Sequence, residues 1–398
     1  MNAAMIDRYA KLAVGFGANV QPGQIVTVNA ELGREQLVRA VAAHAYAAGA
    51  KHVEVNYADA FVRRARIEHG RDGAIGFAPS WQVERIHEMG QQHVAQITIE
   101  GGIDPAATAG LDEEKLGADQ PPTRQEYLKL VVDRLINWTI IAMPTEPWAR
   151  QVHPDLAADQ ALERLWSQVV NICRLDEDDP VVAWQARMTC LLEVAARLTE
   201  RRFDAIGFRG PGTDLTVGLL PSSRWLAANF HTAGGIEHHP NLPSEEVFTT
   251  PDPERVDGSV TSTMPLQIEG TIIRGLRVRF EGGRAVDIDA DEGAGMLRAR
   301  AARDEGAPRL GEVALVDADG RIGPHRTVFY NTLFDENAAS HIALGHAYTF
   351  ALDDDADHAR ANHSSIHIDF MIGSAEMEVD GITGGDRVPL LRGGAWQV

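Results

Sequence analysis

The sequence predicts an α/β N-terminal domain with a parallel sheet over residues 1–197 and a β-rich α+β C-terminal domain over residues 198–398. Strand-like and helix-like patterns alternate in the first part, which is typical of a parallel sheet covered by helices. From Phe203 onward the pattern changes to short strands separated by Gly and Pro, which is typical of antiparallel sheets. A length of 398 residues also suits two domains at roughly 150 residues per domain.

The N-terminal domain contains a βαβ unit. Residues 24–29 (QIVTVN) form a β-branched strand, residues 34–48 have apolar side chains at helical spacing, and residues 52–57 (HVEVNY) form a second strand. A crossover helix of this kind makes its two strands parallel. Residues 95–99 and 138–143 are predicted to be further buried strands of the same sheet.

The C-terminal domain is predicted to follow a largely helical stretch over residues 156–198. Its clearest element is a hairpin, because two strand-like runs, TIIRGLRVRF and RAVDIDA, flank Glu281-Gly282-Gly283. A Gly-rich turn between two such runs is typical of antiparallel pairing.

Composition limits the partners and the compartment. Asp and Glu outnumber Lys and Arg by 57 to 37, which gives a formal net charge of −20. An acidic surface of this kind repels phosphate backbones, so we expect no nucleic-acid partner, whereas small cations are attracted. The sequence has no apolar run of the ~20 residues that a membrane helix needs, so no membrane partner is expected. Two cysteines cannot build a disulfide framework, and a cytoplasmic location is expected.

Motifs of several enzyme classes are missing from the sequence. It has no G-x-S-x-G nucleophile elbow, and Gly15-Phe16-Gly17 lacks the third glycine of a dinucleotide fingerprint. His87 and His93 are six positions apart, whereas the two histidines of a helical zinc motif are four apart. No nucleotide-cofactor site is therefore predicted.

The segment SSIHIDFMI (364–372) predicts a strand with a chemically distinct face. Alternate residues of a strand share a face, so Ile366, Ile368 and Phe370 point one way and His367 and Asp369 the other. An imidazole and a carboxylate so placed can bind one or two metal ions. The alternative interpretation is a half-exposed strand with polar residues in water.

A second candidate lies in FDENAASHIALGHAY (334–348). Asp335 or Asn337 can cap a helix, on which His341, Gly345 and Tyr348 would lie at positions i, i+4 and i+7 of one face. An imidazole and a phenol around the space left by a glycine suit a ligand or substrate contact. The alternative is a histidine and a tyrosine that face the core.

Carboxylates also occur beside apolar strands. Glu245 and Glu246 precede VFTT, and Glu312 leads the apolar run VALV. Burying an unpaired carboxylate is costly, so each needs a partner, either a metal ion or an arginine. The loop histidines His231, His238 and His239 are a weaker metal candidate, because their setting gives no fixed geometry.

Several long stretches resemble the thermophilic-type metalloaminopeptidases of peptidase family M29, the group of aminopeptidase T, aminopeptidase S and PepS. The stretches are NLPSEEVFT (241–249), LGEVALV (310–316), FYNTLFDENA (329–338), NHS (362–364) and HIDFMIGS (367–374). The N-terminal half matches more loosely, through NVQPGQ (19–24) and AAGA (47–50). The resemblance therefore covers nearly the whole chain.

The resemblance implies a dinuclear, metal-dependent aminopeptidase that removes N-terminal amino acids from peptides through a metal-activated water. The metal ligands that it implies are Glu246, Glu312, His341, His367 and Asp369. Three carboxylates and two imidazoles suit two divalent ions, Zn²⁺ or Co²⁺ and also Mn²⁺. The implied partners are peptides with a free N-terminus and a second copy of the chain, as a homodimer.

Three catalytic roles remain open at this stage. We expect Glu312 to bridge the metals, Tyr348 to stabilise the oxyanion, and Glu245 to act as the general base, with Glu336 as its rival. Two alternatives differ in function. A ring-cleaving dioxygenase of the same superfamily would hold one Fe(II), and an inactive relative would only bind its ligand. The complete ligand set favours the peptidase over both.

Overall fold

The computed structural model describes residues 3–71, 73–102 and 104–398. The chain divides into two compact units. The first comprises the residues up to 186 and residues 228–244, and the second comprises residues 187–227 and 245–398. The expected boundary was at residue 197. In the structure the chain first leaves the first unit at residue 186, and it returns to that unit over residues 228–244. The returning segment pairs with the first unit, since the Ile140 amide donates to the Pro240 carbonyl over 2.7 Å.

The helices are concentrated in the N-terminal half of the chain. In chain order they are α1 (Ala3–Leu12), α2 (Glu35–Ala47), α3 (Ala60–His69), α4 (Ser80–Gln91), α5 (Glu113–Ala118), α6 (Thr123–Val132), α7 (Glu146–Val152), α8 (Ala158–Ile172), α9 (Pro180–Arg201), α10 (Ala294–Ala301), α11 (Thr332–Asp335) and α12 (Asp355–His358). Short 3₁₀ and π turns supplement them. No helix in the described residues is long and apolar enough to cross a membrane.

The strands are concentrated in the C-terminal half. In chain order they are β1 (Ile25–Glu31), β2 (His52–Ala58), β3 (Ala95–Glu100), β4 (Asn137–Ala142), β5 (Ala205–Gly210), β6 (Thr213–Leu219), β7 (Leu226–Ala227), β8 (Phe230–His231), β9 (Glu237–His238), β10 (Glu246–Thr249), β11 (Pro251–Thr261), β12 (Leu266–Ile268), β13 (Thr271–Ile273), β14 (Arg277–Glu281), β15 (Arg284–Asp289), β16 (Leu310–Val316), β17 (His341–Gly345), β18 (His367–Met371), β19 (Glu378–Thr383), β20 (Asp386–Arg392) and β21 (Ala395–Trp396).

The first unit is built on a parallel sheet with the strand order β2-β1-β3-β4. Its inner strands are buried, as the apolar sequences of β1 and β3 require. Helix α2 connects the parallel strands β1 and β2 and buries Leu37, Val38, Val41 and Ala45. The predicted βαβ unit and the α/β class of this part are therefore confirmed.

The second unit contains two larger antiparallel sheets. Their strand orders are β18-β17-β16-β10-β7 and β15-β14-β11-β6-β5-β19-β20-β21. The predicted hairpin is confirmed, since Glu281 of β14 is paired with Arg284 of β15. Strand β16 lies at the centre of the five-stranded sheet, and all seven of its residues are buried.

The helix predicted for residues 334–348 is wrong in its second half. Helix α11 and one 3₁₀ turn end at Ala338, and His341–Gly345 is strand β17, paired with β16 on one side and β18 on the other. The physical reason is that a short apolar run fits either a buried strand or a helix, and here two flanking strands satisfy its backbone. His341 and Tyr348 are consequently not related by helical spacing.

Candidate metal centre

Strand register places the five predicted ligands on one face of the five-stranded sheet. Paired residues in antiparallel strands share a face, and the faces alternate along each strand. Ala343 is paired with both Glu312 and Asp369, which puts these two carboxylates on the same face. His341 lies two residues before Ala343, and His367 lies two residues before Asp369, so both histidines are on this face. Glu246 is paired with Val316, which lies four residues after Glu312 and is therefore on the same face.

The ligand side chains converge on Glu312. His341 Nε2 lies 3.0 Å from Glu246 Oε2 and 3.8 Å from Glu312 Oε1. His367 Nε2 lies 3.4 Å from Glu312 Oε2 and 3.4 Å from Asp369 Oδ1. The residues thus form two groups of three, in each of which the potential ligand atoms lie within 4.8 Å of one another. Glu312 belongs to both groups, with one oxygen directed to each.

Both histidines are oriented by their other ring nitrogen. His341 Nδ1 lies 3.2 Å from the Ala339 carbonyl, and His367 Nδ1 lies 2.8 Å from the His346 carbonyl. A carbonyl only accepts, so each Nδ1 donates, and each Nε2 faces the carboxylates with room for a proton or a metal ion between them. A backbone partner of this kind is typical of metal-bound imidazoles.

The arrangement of acceptors fits a bound cation. His341 Nε2 lies 3.0 Å from Glu246 Oε2 and His367 Nε2 lies 3.4 Å from Asp369 Oδ1, and both carboxylate oxygens are buried. Buried acceptors that face one another are costly unless a proton or a metal ion lies between them. Two ligand atoms of a tetrahedral zinc ion, each about 2.0–2.1 Å from it, would stand roughly 3.3 Å apart, close to the distances found here.

Electrostatics leads to the same conclusion. Burial raises the pKa of Glu246, and the charges of Glu312 and Asp369 add to this effect, although His341 opposes it. Burial also acts to raise the pKa of Glu312, but hydrogen bonds from both imidazoles outweigh it and lower that pKa to about 2. Burial acts to lower the pKa of His341 and of His367, yet the surrounding carboxylates raise both well above the usual value. The centre therefore attracts positive charge, which a metal ion supplies.

Glu336 adds a further carboxylate beside the two groups. Burial raises its pKa well above the usual value, and the negative charges of Asp369 and Glu246 raise it further. Its Oε1 lies 3.3 Å from the side-chain amide of Asn337, in the 3₁₀ turn that leads into β17. Glu336 therefore lies close to the ligands without belonging to either group of three.

Glu245, the expected general base, has a different environment. Its side chain is fully buried and accepts a 2.5 Å hydrogen bond from Arg187 Nε, and its backbone amide donates to Asn337 Oδ1 over 2.7 Å. The Arg187 guanidinium also binds Asp317, at 2.6 and 3.2 Å. Glu245 thus forms a buried ion pair with Arg187. No motif in the sequence identifies Arg187 as its partner.

Tyr348 lies beside the His367 group. The two ring centroids are 5.2 Å apart, and Tyr348 also stacks on Phe350 at 5.2 Å. Burial raises the pKa of the phenol to about 12. The hydroxyl is thus suited to donate a hydrogen bond at neutral pH.

Sequence reasoning missed the carboxylate that supports the His367 loop. Asp304 accepts hydrogen bonds from the Ser364 hydroxyl at 2.8 Å and from the Ser365 hydroxyl and amide at 2.6 and 2.8 Å. These contacts fix the chain immediately before β18. Nothing in the local sequence around Asp304 distinguishes it from other surface aspartates.

The loop histidines have packing partners. His239 stacks on Phe16 with a centroid distance of 3.8 Å and lies 3.1 Å from its carbonyl. His238 packs near Trp138 and Phe230. Within the described residues, the groups that could hold a metal ion do not include these histidines.

Comparison with known proteins places this geometry in a family. A profile of the thermophilic metalloprotease family (M29) matches residues 2–396. The chain is 42% identical to aminopeptidase T of Thermus thermophilus, over 99% of this chain and 98% of that protein. It is 38% identical to aminopeptidase AmpS of Bacillus subtilis, over 98% of each. The solved structure of wild-type AmpT from Thermus thermophilus superposes with a TM-score of 0.90 at 40% identity, over 99% of each chain. The chain belongs to the thermophilic metalloprotease (M29) family.

Proposed function

We propose that this chain is a dinuclear metal-dependent aminopeptidase. The membership in M29 and the aminopeptidase names of its relatives support a hydrolase of the exopeptidase class. The observation that carries the dinuclear proposal is the position of Glu312, whose two carboxylate oxygens face two separate groups of ligands. A shared carboxylate of this kind is what a pair of neighbouring metal ions requires.

Each ion is assigned three ligands. Glu246, Glu312 and His341 would hold one ion, and Glu312, His367 and Asp369 the other. Together with Glu336, these residues provide four carboxylates in a largely buried site, and two divalent cations carry an equal and opposite charge. Oxygen and imidazole ligands without thiolate suit Zn²⁺, Co²⁺ or Mn²⁺.

The reaction needs a base and an oxyanion donor besides the ions. Bound divalent ions supply Lewis-acid activation of a water molecule at neutral pH. Glu336 is assigned the base role, because it is the nearby carboxylate that neither joins a ligand group nor pairs with Arg187. It takes the proton of the attacking water and delivers it to the leaving amine. The Tyr348 hydroxyl donates to the oxygen of the tetrahedral intermediate.

The proposed substrate is a peptide with a free N-terminus. The ammonium group of such a peptide is attracted by a chain of net charge −20 and by the carboxylates of the centre. Acetylation of the substrate removes this charge, so we expect cleavage to require a free amino group. A cytoplasmic location is proposed because the chain has two cysteines, too few to build a disulfide framework.

A homodimer is proposed from the surface of the first unit. Strand β2 forms an edge of the parallel sheet; Tyr57 of this strand is 43% exposed, and Phe61 and Val62 of the following helix α3 are 48% and 67% exposed. Apolar side chains at an open sheet edge are typical of an interaction surface. Light scattering during size-exclusion chromatography should give the mass of two chains, and Val62→Glu should shift the equilibrium towards one chain. A monomer at micromolar concentration would refute this part of the proposal.

Hydrolysis of leucine p-nitroanilide tests the proposed activity. We expect the purified protein to release nitroaniline, to lose this activity on incubation with a chelator, and to regain it with Co²⁺ or Zn²⁺. The acetylated anilide is the matched control and should remain intact. Rapid cleavage of an acetylated peptide at an internal bond would contradict the exopeptidase assignment.

A further inference from the structure

The second unit contains a cavity at one end of the sheet that carries the metal ligands. Its volume is about 570 Å³, within the roughly 300–1,000 Å³ of small-molecule sites. Val316, the last residue of β16, lines it and is paired with the ligand Glu246. Ser340 lines it and directly precedes the ligand His341. None of the five candidate ligands lines the cavity, but at two places a lining residue is the direct neighbour of one of them.

The walls of this cavity are largely apolar. Met264, Ile322, Val328, Met377 and Leu391 contribute to them. Side chains of this kind favour the burial of an apolar ligand group, and methionine adapts to different shapes. The cavity is therefore suited to accept aliphatic or aromatic side chains rather than a sugar or a phosphate.

The lining contains two charged side chains, Asp317 and Arg326, which differ in whether they are available to bind a ligand. Asp317 has its partners within the protein, since both of its oxygens accept from Arg187, whose single charge is shared with Glu245. Trp396 Nε1 also donates to Asp317 over 2.7 Å. Arg326 is exposed, and among the described residues its guanidinium has no carboxylate partner. The backbone of Arg326 is held in the left-handed region, at φ 48°, by a 3.0 Å hydrogen bond from its amide to the Gly323 carbonyl. The cavity consequently presents one available positive charge beside apolar walls.

We propose that this cavity binds the C-terminal end of a short peptide substrate, with the terminal carboxylate on Arg326 and apolar side chains against the walls. This assignment rests on the proposed aminopeptidase function and defines its substrate class as short peptides with a free C-terminus. The chemistry is complementary, because a guanidinium binds a carboxylate through charge-assisted hydrogen bonds. An extended peptide of three to four residues spans about 10–14 Å, so a short peptide is the substrate that this assignment requires.

The test compares two forms of one substrate. The tetrapeptide Leu-Gly-Leu-Leu is supplied as the free acid and as the C-terminal amide, and kcat/KM is measured for each with wild-type enzyme loaded with Co²⁺. A lost charge-assisted hydrogen bond corresponds to about a tenfold change, so the acid should be preferred by about tenfold. In Arg326→Gln the acid should lose this advantage, and the ratio of acid to amide should fall towards one. Arg326→Lys should retain part of it.

Arg284→Gln is the matched control. Arg284 is an exposed arginine on edge strand β15, outside the cavity, and its loss should leave the ratio as in the wild type. Equal hydrolysis of the acid and the amide by the wild type would overturn the assignment, and so would an unchanged ratio in Arg326→Gln. In either case, metal-dependent hydrolysis of the anilide would still support the aminopeptidase function. Absence of metal-dependent anilide hydrolysis would instead refute the proposed function and, with it, this assignment.

Discussion

At the scale of single residues, Glu245 and Glu336 provide a direct test of the base assignment. Glu336→Gln should lower kcat by about 10²- to 10⁴-fold, the usual contribution of a general base, without loss of metal. Glu245→Gln is the matched variant and should mainly lower thermal stability, because it breaks a buried pair with Arg187. Steady-state kinetics, elemental analysis and thermal unfolding on the same preparations give the comparison. Full turnover in Glu336→Gln would show that another group is the general base.

Tyr348 is the second residue whose role can be isolated. Tyr348→Phe removes only the hydroxyl, so ring packing on Phe350 and His367 is retained. Loss of one oxyanion donor typically reduces turnover by about 10²- to 10³-fold, and we expect that loss with normal metal content. Turnover at the wild-type rate would exclude Tyr348 from the reaction, and a large loss of metal would make it a ligand.

The sequence predicted the candidate ligands but not all of their surroundings. His367 and Asp369 are two positions apart in a strand-like run, so their shared face follows from strand periodicity alone. The environment of Glu245 depends on Arg187, which is distant in the sequence and has no motif. Contacts between remote positions of this kind are decided by the fold and not by local pattern.

At the scale of elements, Gly345 of β17 limits the approach of two strands. Its φ is 105°, and a Cβ atom there would lie 2.1 Å from the Ile366 carbonyl oxygen, next to His367. Gly345→Ala should therefore lower the midpoint of thermal unfolding and the metal content, because it displaces the start of β18. Gly385→Ala is the matched control, since its φ is 94° but its Cβ would meet no atom within 4 Å.

The comparison of Gly345→Ala with Gly385→Ala separates the cost of backbone strain from the cost of a steric clash. A left-handed conformation costs an alanine roughly 1–2 kcal/mol at either site, whereas only Gly345→Ala adds the steric conflict. Equal destabilisation of the two variants, with metal retained in both, would contradict the close packing of β17 against β18.

The strands and helices differ in how well the local sequence pattern predicts them. Strands β1 and β2 and helix α2 each show one clear periodicity, and all three were predicted correctly. The run HIALG was assigned to a helix, because its four small or apolar residues fit both periods. Its strand character comes from pairing with β16 and β18, which no local window contains.

At the scale of the whole molecule, metal binding should contribute to stability. Three buried ligand carboxylates repel one another when no cation separates them, and ions that bind only the folded chain stabilise it by mass action. Removal of metal with a chelator should therefore lower the midpoint of thermal unfolding, and added Co²⁺ should restore it. Glu312→Gln, which removes the shared ligand, should show a much smaller response. An identical midpoint with and without metal would contradict a structural contribution of the ions.

The number of bound metal ions distinguishes a dinuclear peptidase from the alternatives. We expect two divalent ions per chain by elemental analysis of the fully active enzyme, with zinc, cobalt or manganese accounting for both. Glu312→Gln should lose both ions together, because Glu312 belongs to both ligand groups. A single iron ion per chain, or full aminopeptidase activity in metal-free protein, would contradict the dinuclear proposal.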